Sequence, residues 1–165
     1  MFYTRKFPSS ISSSNSFIDN HKSIPHIIGL PTKIYPYLNT EKMTLAFQEM
    51  YHTLETAHPG SIVLLHASAF NPSGIEPSLD QWKALAKLFR ERKLIAIFDC
   101  AGQGLVSGDL NKDIQSIRSF LEEETQVIVT QSLGNSLGIY GEMVGALHVV
   151  CKSKEVKVKV VDQIK

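Results

Sequence analysis

The run from Lys93 to Gly104, K-L-I-A-I-F-D-C-A-G-Q-G, leaves the chain few folds to choose from. A continuous apolar, β-branched run of this length, closed by glycines, predicts a strand buried on both faces, as in a parallel sheet. Asp99 then stands at the C-terminal mouth of that strand. In open α/β sheets ligands bind at that edge, so the acid is either a polar partner for a ligand or the cap of the next turn. Position alone leaves both readings open.

The surrounding segments repeat the theme. Ser61 to Ala67, S-I-V-L-L-H-A, reads as a second buried strand, followed by the loop S-A-F-N-P-S-G. Ser78 to Gln81 has the S-x-x-Q form of a capping box, and Trp82, Leu85, Ala86 and Phe89 then fall on one helical face. A further helix is expected from near Asn111, with Ile114, Ile117 and Leu121 inward, and a strand from Thr125 to Gln131. This β-α-β-α-β order, with short connections and right-handed crossovers, predicts an α/β fold: a mostly parallel sheet flanked by helices. Upstream, the prolines and glycine of residues 19–39 suggest a loop with one short strand near Lys33 to Tyr37. A helix capped by Thr40 should carry Met43, Phe47, Met50, Tyr51 and Leu54 at helical spacing. Downstream, Val144 to Cys151 reads as a fourth strand, and the ambiguous tail as a helix capped by Ser153.

Composition closes off several function classes. Lys and Arg number 17 against 16 acids, a formal net charge of +1, so no basic field exists to steer the chain to nucleic acid. No apolar run approaches the ~18 residues of a membrane span. Cys100 and Cys151 make neither a disulfide framework nor a zinc spacing, and a reducing, cytoplasmic setting is the default. Residues 1–17 are serine-rich and acid-free, but with only Arg5 and Lys6 as cations they are read as an irregular lead-in rather than a targeting helix.

Three polar residues lie just beyond three expected strand ends: Asn71, Asp99 and Ser132. Parallel strands put those ends on one edge, where the three could converge on a ligand. Any α/β protein has polar strand-end residues, so chance convergence is the competing explanation.

The order of residues also resembles a family. H-A-S-A-F-N-P-S-G (66–74), F-D-C-A-G-Q-G (98–104) with S-G-D-L-N-K-D (107–113), and Q-S-L-G-N-S-L-G-I-Y-G-E-M-V-G (131–145) look like class I pyridoxal-phosphate aminotransferases, specifically the aspartate aminotransferases. I-D-N-H (18–21) is similar to that family's W-E-N-H. The resemblance implies that residues 18–165 are part of the large domain of a fold-type I transferase that moves an amino group between L-aspartate and 2-oxoglutarate. It implies that Asp99 pairs with the pyridinium nitrogen of pyridoxal 5'-phosphate, which keeps the ring an electron sink. It further implies that Asn71 bonds the cofactor's phenolic oxygen and the substrate carboxylate, that Ser132 binds the phosphate, and that His21 backs the acid.

The departures matter as much. Asn135 stands where the family has its Schiff-base lysine, and an amide nitrogen delocalised into a carbonyl is neither nucleophilic nor basic. Met143 replaces an arginine on the phosphate, Gly102 a tyrosine bonded to the cofactor, and Ile18 the aromatic that stacks on the ring, unless a one-residue shift lets Phe17 stand in. Losing a charge-assisted phosphate contact costs about 1.5–3 kcal/mol, or roughly 10- to 150-fold in affinity. Losing a general base removes about 10²–10⁴ in rate. Amino transfer should be nearly abolished, and cofactor binding weak and non-covalent or lost. Against the family pattern the chain resembles a central piece of the large domain. Since family active sites form at a dimer interface, the alternative role is that of a non-catalytic paralogue or splice product pairing with an intact aminotransferase subunit, and the implied assembly is a homodimer or such a heterodimer. A competing G-x-S-x-G match at Gly134 to Gly138 suggests a hydrolase nucleophile elbow, but no H-G-G-G segment accompanies it and the only downstream histidine, His148, falls within an expected strand.

Overall fold

The structure, a computed structural model, describes residues 11–14 and 19–164. Its strands are β1 (Ile11–Ser14), β2 (Thr32–Tyr35), β3 (Leu38–Asn39), β4 (Thr44–Leu45), β5 (Ile62–His66), β6 (Ile95–Cys100), β7 (Gln126–Ser132) and β8 (Gly145–Val149). Its helices are α1 (Asp19–Ile27), α2 (Phe47–Glu55), α3 (Leu79–Arg92), α4 (Gln115–Glu122), α5 (Gly134–Leu137) and α6 (Lys154–Ile164). Six strands form one sheet in the order β2-β1-β5-β6-β7-β8, parallel except for the antiparallel β7–β8 pair, while β3 and β4 make a separate small hairpin. The expected α/β architecture is therefore present, with the Asp99 strand near the middle of the sheet.

The strands alternate rather than lying buried on both faces. Val63, Leu65, Ala96, Phe98, Cys100, Val127 and Val129 point to a closed face, where they meet Met50, Leu54, Trp82, Leu85, Phe89 and Phe120 from α2, α3 and α4. Phe120 packs edge-on against both Phe89 and Phe98, at centroid distances of 4.9 and 5.0 Å. The opposite face, with Leu64, Ile97 and Ile128 in one register row and His66, Asp99 and Thr130 in the next, is only partly covered. Helix α1 lies against part of it, so the expectation of two covered faces holds for one.

Four local expectations change. The proline-rich segment forms α1 despite Pro25 within it, and the turn after it closes through bonds from Gly29 N–H to the His26 carbonyl and from Leu30 N–H to the Pro25 carbonyl. Residues 11–14 of the irregular lead-in form β1, inserted between β2 and β5. Thr40 caps nothing. The Asn39 side chain accepts from the amides of Glu41 and Lys42 and holds that stretch as a turn, Met43 adopts a left-handed φ of 50°, and α2 begins at Phe47. Helix α4 starts at Gln115 rather than Asn111, because Asp109 accepts from the Asn111 and Lys112 amides and competes with helical bonding. Phe120 rather than Leu121 then turns inward.

Other readings are reproduced closely. The capping box is complete: the Gln81 amide donates to Ser78 Oγ at 3.2 Å, and the Ser78 amide to Gln81 Oε1 at 2.8 Å. The tail is helical, with the Val156 amide donating to Ser153 Oγ at 3.3 Å. Helix α6 buries none of its residues, and among the described residues no helix is long and apolar enough to cross a membrane.

Candidate functional site

The register of β5, β6 and β7 puts His66, Asp99 and Thr130 side by side near the C-terminal ends of three parallel strands, on the partly covered face. From above, α1 lowers His21, whose Nε2 lies 3.1 Å from Asp99 Oδ2, with the two side chains 13% and 22% exposed. The groove between α1 and the sheet has a volume of about 570 Å³ and is lined by His21, Ile24, Ile97, Asp99, Gln131 and Ser132 among others. Ser132 also borders a shallower depression that holds Asn135, Tyr140 and Met143.

Asp99, His21 and Ser132 are thus brought together, and Asn135 and Met143 adjoin them across Ser132. Asn71 is exposed in the loop after β5 and is not among the residues lining the groove, so the three-way convergence is only partial. Ile18 and Phe17 lie outside the described residues. Gly102 packs under the loop after β5: a Cβ built on it would fall 2.5 Å from the Cβ of Ala69, itself held at a φ of 50°. Any side chain at 102 would push the two loops apart, so this chain has closed the space that a tyrosine there would enter.

His66 was missed in the sequence as a member of the site. Its ring sits 5.3 Å from that of His21 and 4.6 Å from that of Phe70, and its Nε2 is buried with no hydrogen-bond partner. Burial lowers its pKa, with Asp99 pulling upward and His21 further down, which favours the neutral ring. Strand parity was the available signal, since His66 stands opposite Asp99 once the two apolar runs are aligned.

Behind the groove, Gln103 ties the loops together. It accepts from Gln131 Nε2 at 2.8 Å, its carbonyl accepts from Ser136 Oγ at 2.7 Å, and its amide donates to the Leu110 carbonyl at 3.0 Å. Ser136 is therefore engaged with backbone, and His148 bonds Gln131 Oε1, so the elbow motif has no histidine serving its hydroxyl.

Asp113 anchors the loop after β6, accepting from the amides of Gly104, Val106 and Ser107 and from the Ser107 hydroxyl. Burial works against its charge, but the Ser107 hydroxyl and the three amides together hold the carboxyl below its ordinary value. A depressed folded-state pKa adds stability above the unfolded pKa of about 3.9, and that contribution is lost as pH falls through the folded value. Asp113→Asn should cost about 1–3 kcal/mol near neutrality. Urea melts of both chains should show the gap narrowing below about pH 4.

The sequence profile described as "Aminotransferase class I and II" matches residues 9–165. The cytoplasmic aspartate aminotransferase of Oryza sativa subsp. japonica is 42% identical over 146 residues, which is 88% of this chain and 36% of that protein. The aspartate aminotransferase from Saccharomyces cerevisiae cytoplasm superposes with a TM-score of 0.90 at 33% identity, covering 97% of this chain and 41% of that one. An aromatic-amino-acid aminotransferase from Burkholderia pseudomallei, solved covalently bound to pyridoxal phosphate, gives 0.90 at 30% identity, covering 94% and 39%. The chain belongs to the class I and II aminotransferases. Within that family its likeness is to the aspartate aminotransferases, and it spans little over a third of the length of these relatives. Its sheet is that of the fold-type I large domain.

The residues present fit pyridoxal phosphate only in part. Asp99, braced by His21, offers a carboxylate suited to a protonated ring nitrogen. For the rest of the cofactor the donor set is poor: among the described residues, no lysine or arginine lines either the groove or the adjoining depression. A phosphate ester would meet the Ser132 hydroxyl without a cation, and a carbonyl would meet no amine.

Proposed function

We propose that this chain is an aspartate aminotransferase-like protein that has lost most or all amino-transfer activity. The cofactor of such enzymes, when bound, supplies an electron sink for the amino acid's α-carbon. Here Asp99 and His21 would still orient a pyridine ring, and Ser132 would still bond a phosphate oxygen. Asn135 can neither attach the cofactor nor move a proton, and Met143 cannot neutralise the phosphate. The observation that carries this reading is the cation-free lining around Ser132, which includes Asn135 where the family resemblance implies a lysine. The test is a titration of the purified chain with pyridoxal phosphate, followed by an assay for amino transfer from L-aspartate to 2-oxoglutarate. We expect weak, reversible binding or none, no borohydride-stable adduct, and no turnover above background. Turnover on the order of 10 per second would end the proposal.

A second reading has its own support. Ile24, Ile27 and Ile28 around α1, together with Leu137, Tyr140, Met143 and Leu147 near β8, are large apolar residues left exposed, and the sheet's second face is only partly covered. Such surface favours association, and a formal charge of +1 offers little repulsion. The chain would then act as a non-catalytic partner of an intact aminotransferase subunit, or as a homodimer. Sedimentation alone and with an intact aspartate aminotransferase should show self-association or a mixed dimer. A monodisperse monomer in both runs, with a sharp cooperative melt, would remove this reading.

A further inference from the structure

We propose that His21, His66 and Asp99 form a binding site for a divalent first-row transition ion, zinc foremost, on the open face of the sheet. One ring nitrogen from each histidine and one carboxylate oxygen lie within 4.8 Å of one another, and His21 Nε2 and Asp99 Oδ2 are already 3.1 Å apart. Zinc held at about 2.0–2.1 Å by nitrogen and oxygen donors sets neighbouring donors about 3.4 Å apart in a tetrahedron. The widest gap here therefore needs to close by at most about 1.4 Å, within reach of side-chain rotation.

Two of the three donors are fixed by the backbone. His66 and Asp99 are direct partners in the β5–β6 ladder, and α1 delivers the third donor from above. The Nε2 of His66 points to a use, because it is buried and unpartnered, a state that buried polar atoms rarely keep without a ligand. The Phe70 ring beside it and the groove-lining Ile97 and Leu64 make the surroundings of the site apolar. Two imidazoles with one carboxylate suit zinc, cobalt, nickel or iron rather than magnesium or calcium, which demand mostly oxygen. The groove leaves the remaining coordination position open to water or a small anionic ligand.

Binding exchanges bonds without a redox step. If His21 carries its proton on Nε2 toward Asp99, that proton moves to Nδ1 through solvent, the Nε2 lone pair goes to the ion, and the Asp99 oxygen bonds the ion in place of the N–H. Asp99 would then be unavailable to a pyridinium ring. The ion and a pyridine ring would compete for Asp99 and His21, and the test reads metal rather than turnover.

The test is calorimetric titration of the EDTA-treated, dialysed full chain with zinc chloride, alongside visible spectra with cobalt(II). One equivalent of zinc should bind, and cobalt should give the intense bands of four- or five-coordination. Loss of partners that merely orient a ligand already costs about 10- to 100-fold in metal affinity, so His21→Ala and His66→Ala should each cost at least about 100-fold. His58→Ala, at an exposed position after α2, should change nothing. If His66→Ala fails to fold by circular dichroism, His21→Ala and the cobalt spectrum of the unmodified chain carry the decision. Absence of a stoichiometric site, six-coordinate aquo-type cobalt bands, or affinity indifferent to His21→Ala would each overturn the proposal.

Discussion

Asn135→Lys is expected to turn weak, reversible capture of pyridoxal phosphate into a covalent bond that borohydride makes permanent. Residue 135 is exposed in the first turn of α5, beside the depression that Ser132 shares with the Asp99 groove. A four-carbon side chain from that position can turn toward the groove mouth, whereas asparagine has neither reach nor a basic nitrogen. The substitution restores an amine and, with it, a general base worth about 10²–10⁴ in rate. Much would still be missing. With Met143 where the resemblance implies an arginine, a bound phosphate would lack a cation, at an expected cost of roughly 10- to 150-fold in affinity, and Gly102 is closed by Ala69. The expected result is a trapped adduct at the new lysine, seen by peptide mass mapping, with turnover far below that of an ordinary enzyme. A borohydride-stable adduct on the unmodified chain would show that another lysine has taken over and that the reading of Asn135 is wrong.

The sequence carries the architecture and the position of Asp99, and it does so through two different signals. Apolar runs ending at Ala67, Asp99 and Gln131 point to the parallel strands, and those strands put Asp99 at the C-terminal edge of the sheet. The motifs gave His21 as the partner of Asp99, a contact spanning 78 residues that no periodicity could reveal, and the structure finds it at 3.1 Å. Other features were hidden for physical reasons. Asn39 and Asp109 bend the backbone through their own side chains, a competition that apolar spacing does not register, so spacing alone starts α2 and α4 too early. Pro25 reads as a breaker because proline lacks an N–H and its ring crowds the i−4 carbonyl, yet α1 continues through it to Ile27. His66 is hidden in the sequence because its relevance depends on register: a shift of one residue in β5 would send it to the closed face. Spacing likewise does not assign the described helices to one side of the sheet.

Phe98→Ala is expected to abolish cooperative folding, while Ile97→Ala, one residue away, is expected to be tolerated. The two side chains leave β6 in opposite directions. Phe98 is 0% exposed, sits between Leu65 and Val129 in the register, and packs against Phe120 at 5.0 Å and Trp82 at 6.0 Å. Truncating a buried phenylalanine costs about 3–5 kcal/mol, since the rigid strands on either side cannot collapse into the space. Domains are stable by only about 5–15 kcal/mol, and a sheet with one face open lies toward the lower end, so this loss consumes most of what holds the chain together. Ile97 faces the groove and keeps part of its surface in water already. Removing its outer carbons should then cost well under the roughly 2–5 kcal/mol of a buried isoleucine. Urea melts followed by tryptophan fluorescence report on both, because Trp82 lies in the same cluster as Phe98. Comparable losses for the two variants at high protein concentration, converging to the expected difference on dilution, would mean that the open face is covered by a second chain. Comparable losses at every concentration would refute the one-sided core.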